Sequence, residues 1–315
     1  MKLLVTGGAG FIGSHLVDRL IEDGHYVCVL DNFSTGKMKN LSGVLASKKL
    51  RIVRADIRRI PSSLVRTLRR VDGVFHLAAV TDVQESVKSP ILTNDVNLVG
   101  TLRVLEAARK LRAQRVVFAS SAAVYGMIER FPVREDANMA PISPYGASKA
   151  ASELYCRAFE QNHGIEAVSL RYFSVYGLRQ RSAQYSGVIS IFARRMLRGQ
   201  PLTIFGDGSQ SRDFVYVNGV VDATIRALSG TFQSRAFNIG CETKTTIRKL
   251  AKTMQGPIGQ RPEVKFLTPR LGDPHRGVAD ITKARKELGF NPRTSLRDGL
   301  SETIQWYNIQ KQSTS

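Results

Sequence analysis

The segment Thr6-Gly7-Gly8-Ala9-Gly10-Phe11-Ile12-Gly13 joins a short apolar run, Lys2–Thr6, to a helical pattern over residues 12–22. A glycine-rich turn that leaves a strand and opens a helix permits few folds, because its function requires a βα unit around it. Gly7 permits the tight turn. Gly10 lets backbone amides, those of Phe11 and Ile12 among them, approach a pyrophosphate at the positive helix N-terminus. Gly13 allows close helix packing. An ordinary glycine turn is the alternative, and the strand-turn-helix context argues against it.

The same rhythm continues. Residues 25–30, 50–54, 74–77, 115–119 and 167–170 read as strands, and 63–69, 91–111 and 144–162 as helices. Near-continuous apolar strands suit a parallel sheet buried on both faces. After about Tyr176 a loop rich in glycine, polar residues and arginine breaks the alternation. A helix over 187–198, an extended segment over 201–208, a strand over 237–240 and helices near 246–254, 282–288 and 295–309 follow. At 315 residues the chain exceeds one typical domain of roughly 100–200 residues. The expected fold is α/β: a Rossmann-type doubly wound parallel sheet over residues 1–176, then a smaller C-terminal α/β substrate-binding domain over 177–315. Some segments of the second part should return to the first.

Asp31 ends the second strand, followed by Asn32. An acid there can accept from both adenosine ribose hydroxyls and would repel a 2′-phosphate, which favours NAD over NADP. Lys37 and Lys39 pull slightly the other way. Asp56-Ile57 closes the third strand and could hold the adenine; a helix N-cap is the alternative role for Asp56.

Tyr145 and Lys149 stand at i and i+4 in Tyr145-Gly146-Ala147-Ser148-Lys149, so a helix presents them on one face. A neighbouring ammonium should lower the phenol's pKa, as a general base near neutral pH requires. The spacing alone is weak. Behind a nucleotide-binding turn, and about 24 residues after Ser120-Ser121, it indicates a nicotinamide cofactor meeting a hydroxyl-bearing substrate.

The net charge of +20, from 46 Lys+Arg against 26 Asp+Glu, favours anionic substrates. The basic residues are dispersed without an aromatic-interleaved motif, so no specific nucleic-acid partner is expected. Cys28, Cys156 and Cys241 have no metal-type spacing and fit small core positions; no metal is expected. No stretch approaches the roughly 18 apolar residues that span a bilayer, and the first strand begins too early for a signal peptide. A cytoplasmic protein is the expectation.

At these motifs the chain resembles the extended short-chain dehydrogenase/reductase family, particularly its nucleotide-sugar 4-epimerases, from Thr6 to about Trp306. His76-Leu77-Ala78-Ala79 is similar to the segment lining the cofactor, and Asn97-Leu98-Val99-Gly100-Thr101 to the central-helix asparagine motif. Ser120-Ser121-Ala122-Ala123-Val124-Tyr125-Gly126 and Tyr145 to Lys149 resemble the catalytic blocks. Arg171-Tyr172-Phe173-Ser174-Val175-Tyr176-Gly177, Phe205-Gly206-Asp207-Gly208, Arg212-Asp213-Phe214 and Arg270-Leu271-Gly272-Asp273 resemble nucleotide-diphosphate contacts.

The resemblance implies a division of labour. The tyrosine matching Tyr145 removes the sugar 4-hydroxyl proton while C4 passes hydride to NAD. Lys149 depresses its pKa and bonds the nicotinamide ribose, and Ser121 bridges Tyr145 and the sugar oxygen. The 4-keto sugar turns over and takes the hydride back on its other face. Leu77, Ala78, Ala79, Asn97, Ser120 and Tyr172 join the cofactor set. Ser174, Arg181, Val188, Thr203, Phe205, Arg212, Arg270 and Asp273 form the sugar and UDP set, the arginines meeting phosphate bidentately. A homodimer through the helices over 91–111 and 144–162 is also implied.

Ala122-Ala123 stands where similar dehydratases carry an acidic pair. Alanine exchanges no proton, so dehydration is not expected. Ser174 and Arg181 resemble the UDP-glucuronate 4-epimerases, whereas Tyr185-Ser186-Gly187-Val188-Ile189 resembles the neutral-sugar loop, and Leu178 replaces a usual proline. Gly277 aligns with a position whose bulk limits room for an N-acetyl group. The leading expectation is a UDP-hexose 4-epimerase acting on UDP-glucose and UDP-galactose, N-acetylated forms included. UDP-glucuronate 4-epimerisation is the alternative. A non-catalytic NAD-binding or RNA-associated scaffold is the alternative from another class.

Overall fold

The computed structural model describes residues 1–127, 130–180, 187–259, 262–268 and 277–312. In the first strand, β1 (Lys2–Thr6), every side chain from Leu3 onward is fully buried. Leu3 and Val5 enter one apolar cluster and Leu4 the other, so both sheet faces are covered. The first helix, α1 (Phe11–Glu22), then leads to β2 (Tyr26–Asp31), β3 (Leu50–Arg54), α2 (Ser62–Leu68) and β4 (Gly73–His76). Helices α3 (Val83–Lys88), α4 (Pro90–Asn94) and α5 (Gly100–Lys110) precede β5 (Arg115–Ser121), α6 (Pro144–His163) and β6 (Glu166–Tyr172).

The remaining strands are β7 (Ser174–Tyr176), β8 (Leu202–Phe205), β9 (Ser211–Arg212), β10 (Phe214–Tyr216), β11 (Ala236–Ile239), β12 (Thr245–Thr246) and β13 (Val264–Leu267). The remaining helices are α7 (Val188–Leu197), α8 (Val217–Arg226), α9 (Ile247–Ile258), α10 (Thr282–Leu288) and α11 (Leu296–Gln312). Seven parallel strands form the main sheet in the order β11-β6-β5-β4-β1-β2-β3. This is a Rossmann-type doubly wound sheet. Three two-stranded sheets, β7 with β10, β9 with β12 and β8 with β13, belong mostly to the C-terminal half. Helix α8 returns to pack on α1, and β11 pairs with β6 at the edge of the main sheet.

Two differences from the sequence expectation bear on the site. The helix expected over 91–111 is interrupted by a π-helical segment, Asp95–Val99, between α4 and α5. There the Asn97 carbonyl accepts the Thr101 and Ser152 hydroxyls, and widened turns of this kind occur often at functional sites. Strand β5 also runs on to Ser121, which places that residue at its carboxyl end. Helices α3 and α8 and the short strands β7, β9, β10 and β12 carried no clear period in the sequence. Among the described residues no helix is long and apolar enough to cross a membrane.

Candidate active site

The sheet order reverses between β1 and β4, which opens a crevice beyond the carboxyl ends of those strands. Thr6 and His76 end them in register. Gly7 follows with φ +71, and a Cβ there would lie 2.7 Å from the Ala78 nitrogen. A Cβ on Gly13 would lie 2.1 Å from the Gly7 carbonyl oxygen, so α1 rests directly on the turn. Gly10 caps α1 without a side-chain bond, leaving the first amides of the helix, from Phe11, Ile12 and Gly13, without intrahelical acceptors. That cradle fits a dinucleotide pyrophosphate.

Asp31 closes β2 beside it. Its carboxylate accepts from Ala9 N at 2.9 Å and Phe33 N at 2.8 Å, and each oxygen keeps a lone pair for a ribose hydroxyl. Asn32 donates to Asp56 at 3.3 Å. Asp56 is the N-cap of the turn Ile57–Arg59 and is gripped by Arg58, whose bonds hold its carboxyl down at about 2. The capping alternative therefore describes its main contacts. The Ile57 side chain is buried against Gly100, so only its backbone is left to face a nucleotide.

Leu77 and Ala78 donate their amides to the Thr6 carbonyl and hydroxyl, which runs this segment along the glycine turn into Ala79. Asn97 accepts from Val80 N at 2.7 Å and donates to Val80 O at 2.9 Å and to the Ser148 hydroxyl at 3.0 Å. It thus pins the end of this segment to α6. His76 lies between the Thr6 hydroxyl at 2.7 Å and the Thr101 hydroxyl at 2.9 Å. Because Thr101 donates to Asn97 O, it accepts from His76 Nε2, which leaves Nδ1 to accept from Thr6. Burial, then the charge of Lys149, holds this histidine neutral with its value lowered to about 3. Since the folded value is depressed from 6.5, the stability it contributes is present above pH 6.5 and is lost as pH falls through about 3. Wild-type protein should lose about 2 kcal/mol between pH 7 and 5 from this group, and His76→Gln should flatten that slope in thermal melts at stepped pH.

Tyr145 and Lys149 open α6, Ser121 ends β5, and the structure brings the three together. Ser121 hydrogen-bonds the Tyr145 phenol and accepts from Ala123 N at 3.1 Å. Lys149 donates to Ala119 O at 2.7 Å and lies 4.8 Å above the Phe118 ring. One expectation is corrected: the Tyr145 phenol is raised, because its burial outweighs the Ser121 bond. Burial also pulls Lys149 down, to about 8.

Two residues expected to line the cofactor place their side chains elsewhere. Ser120 gives its hydroxyl to Glu153 in a buried cluster with Arg171 and Tyr125, while Tyr172 gives its hydroxyl to Thr224 of α8 at 2.7 Å. Both hydroxyls are thereby committed within the fold. Tyr172 nevertheless pairs in register with Ser121 at the crevice.

In the C-terminal half, alternation along β8 buries Leu202 and Ile204 and leaves Thr203 and Phe205 on the accessible face. Val188 opens α7, and Ser174 donates its amide to Asp213 O at 3.0 Å. Arg212 lies on β9 and donates to Ser211 O. Asp213, part of the same motif, is not turned to a ligand. It is buried and accepts backbone amides of Cys241, Glu242 and Ala279 at 2.9–3.1 Å, so it clamps the chain on both sides of the site. A Cβ on Gly277 would meet nothing within 4 Å among the described residues. Arg181, Arg270, Asp273, Tyr185 and Ser186 lie outside the described residues.

A glycine cradle with an acid at the end of β2 and a serine–tyrosine–lysine group at one crevice is the arrangement of a dinucleotide-dependent enzyme. Comparison with known proteins agrees. Residues 3–240 match the NAD dependent epimerase/dehydratase family, and the chain belongs to that family. It is 40% identical over 315 residues to the UDP-glucose 4-epimerase of Mycolicibacterium smegmatis, covering 99% of this chain and 100% of the relative. It also resembles the crystal structure of a Thermotoga maritima UDP-glucose 4-epimerase with UDP-glucose, with a TM-score of 0.92, 38% identity and coverage of 99% and 100%. A Methanobrevibacter ruminantium UDP-N-acetylglucosamine 4-epimerase in complex with UDP-N-acetylmuramic acid gives a TM-score of 0.93, 37% identity and 98% coverage of each chain.

Proposed function

We propose that the protein is a UDP-hexose 4-epimerase that uses bound NAD to interconvert UDP-glucose and UDP-galactose and accepts their N-acetylated forms. The observation that carries this reading is the meeting of Ser121, Tyr145 and Lys149 at the crevice beside the glycine cradle. Gly7, Gly10, Gly13 and Asp31 hold the dinucleotide, together with the segment Leu77 to Ala79. When bound, NAD supplies the hydride acceptor for oxidation at C4 and the donor for its reversal. Tyr145, in its deprotonated phenolate form, takes the 4-hydroxyl proton and returns it after the sugar has turned over. Ser121 holds that phenol and the sugar oxygen in line, and Lys149 supplies positive charge beside them. Ala122 and Ala123 offer no acid or base, so water is not eliminated.

Residues 1–176 form the NAD-binding part, and residues 177–315 mainly receive the UDP-sugar. Thr203, Phe205 and Arg212 face its nucleotide, with Arg270 and Asp273 assigned there by resemblance. Ser174 and Val188 border the sugar. A second copy covers α4 and α6, where Ile91 is 78% exposed and Leu154 is 59% exposed. A reducing cytoplasm suits the three free cysteines.

The deciding measurement is kcat/KM for UDP-galactose, UDP-N-acetylgalactosamine and UDP-glucuronate side by side. The first two should be turned over, and Gly277→Tyr should selectively suppress the second by filling the open space at that position. A lead for UDP-glucuronate above about tenfold, roughly 1.4 kcal/mol of transition-state preference, that Arg181→Ala removes would make the acidic sugar the substrate.

A further inference from the structure

Buried charge that the proposed chemistry does not use is concentrated behind the crevice. Glu153 lies one turn beyond Lys149 and two beyond Tyr145, on the same face of α6. Its side chain is 7% exposed, and that of its partner Arg171 is 5% exposed. We propose that Glu153 is a positioning residue for the catalytic centre: it fastens the Ser121 end of β5 to the helix face bearing Tyr145 and Lys149, and it supplies the negative charge that keeps Lys149 an ammonium. This rests on the roles given above to Tyr145 and Lys149.

The geometry joins two strand ends through one carboxylate. The Ser120 hydroxyl donates to Glu153, and one peptide bond further on Ser121 reaches the Tyr145 phenol. Arg171 donates Nε to both carboxylate oxygens at 3.1 and 3.2 Å and Nη2 to one of them at 2.8 Å. The residue after Arg171, Tyr172, pairs with Ser121 in register. Arg171 also donates to the Tyr125 hydroxyl at 2.9 Å, and that phenol donates to Asn238 of β11 at 2.6 Å. The network therefore spans β5, β6, β11 and α6.

Shape alone would not require a charge here. Buried ion pairs are weak evidence for stability, and apolar replacements of equal size often serve as well. The groups around Lys149 show what the charge does. Burial pulls this lysine down, while Cys156 and Glu153 oppose the fall. The Cys156 thiol is itself pushed up to about 12, so it is neutral and attracts nothing at working pH. His76, facing from β4, is held neutral, and burial keeps the Tyr145 phenol protonated. Arg171, from β6, is a cation bound to Glu153. Among these groups Glu153 alone is an anion.

Glu153→Gln keeps the length of the side chain and an acceptor for Ser120 but removes the charge. The alkaline fall of kcat should move down by about one pH unit, with KM for the UDP-sugar changed less than about threefold, because the nucleotide contacts lie in the other half. The single variant leaves Arg171 without its carboxylate partner, with only neutral acceptors such as the Tyr125 hydroxyl, and should melt at a lower temperature. Adding Arg171→Met should restore the melting point while the alkaline limb stays displaced. A second readout needs no turnover. Lys149 titrates near 8 when folded, against 10.5 ordinarily, so stability rises with pH between those values, and in the double variant the rise should begin lower. A double variant whose alkaline limb and stability rise both match wild type overturns the proposal. A wild-type protein inactive on every UDP-sugar would overturn the proposed function instead, and the stability curve would still decide the role of Glu153.

Discussion

Tyr145→Phe should reduce epimerisation by roughly 10²–10⁴-fold in kcat or more, the range over which a positioned general base contributes. NAD and UDP-sugar should remain bound. The substitution removes one oxygen and nothing else: the ring keeps its buried place at the start of α6, and Ser121 keeps its bond from Ala123 N. The wild-type pH profile should carry the same signature. Burial holds the phenol above its ordinary value, so turnover should rise with pH until Lys149, near 8, begins to lose its proton. Single-turnover assays on UDP-galactose, with ligand retention measured in parallel, test this. Near-wild-type turnover in the phenylalanine variant would remove Tyr145 from the mechanism.

Gly13→Ala should leave the protein unable to retain its dinucleotide. The new methyl carbon would lie 2.1 Å from the Gly7 carbonyl oxygen and 2.9 Å from Gly7 C and Gly8 Cα. All three are backbone atoms, so no side chain can turn aside, and α1 must withdraw from the turn. Overpacking typically costs about 1–3 kcal/mol, and the displaced amides no longer meet the pyrophosphate. NAD affinity should therefore fall by roughly 5- to 140-fold, since each 1.4 kcal/mol is a factor of ten. Wild-type protein, denatured after purification, should release NAD identifiable by mass, and the alanine variant should release almost none. Equal release from both would contradict the packing argument. NADP as the dominant nucleotide would contradict the role of Asp31.

Legibility followed the range of the interactions. The glycine turn could be read directly because its sequence is short and each glycine answers a local steric demand. Tyr145 and Lys149 could be read as a pair because helix geometry alone puts them on one face. The pKa direction at Tyr145 could not, because burial depends on what closes over the phenol. Ser120 and Tyr172 illustrate the same limit. Their neighbours in sequence pointed to the crevice, and their hydroxyls went to Glu153 and Thr224, partners 33 and 52 residues away. Asp213 shared a motif with Arg212 and turned out to hold backbone amides from segments 28 and 66 residues distant.

What the sequence determined by itself was the α/β alternation, the glycine turn between a strand and a helix, and the placing of Tyr145 and Lys149 on one helix face. All of these rest on periodicity and on spacings within one turn of helix or one βα unit. Tertiary structure alone decided that β11 would join β6 at the sheet edge, that the long helix would widen at Asn97, and that Glu153 would meet Ser120 and Arg171 behind the crevice. Those outcomes depend on partners far apart in the chain, and a buried polar group takes whichever partner the packing brings within hydrogen-bonding distance.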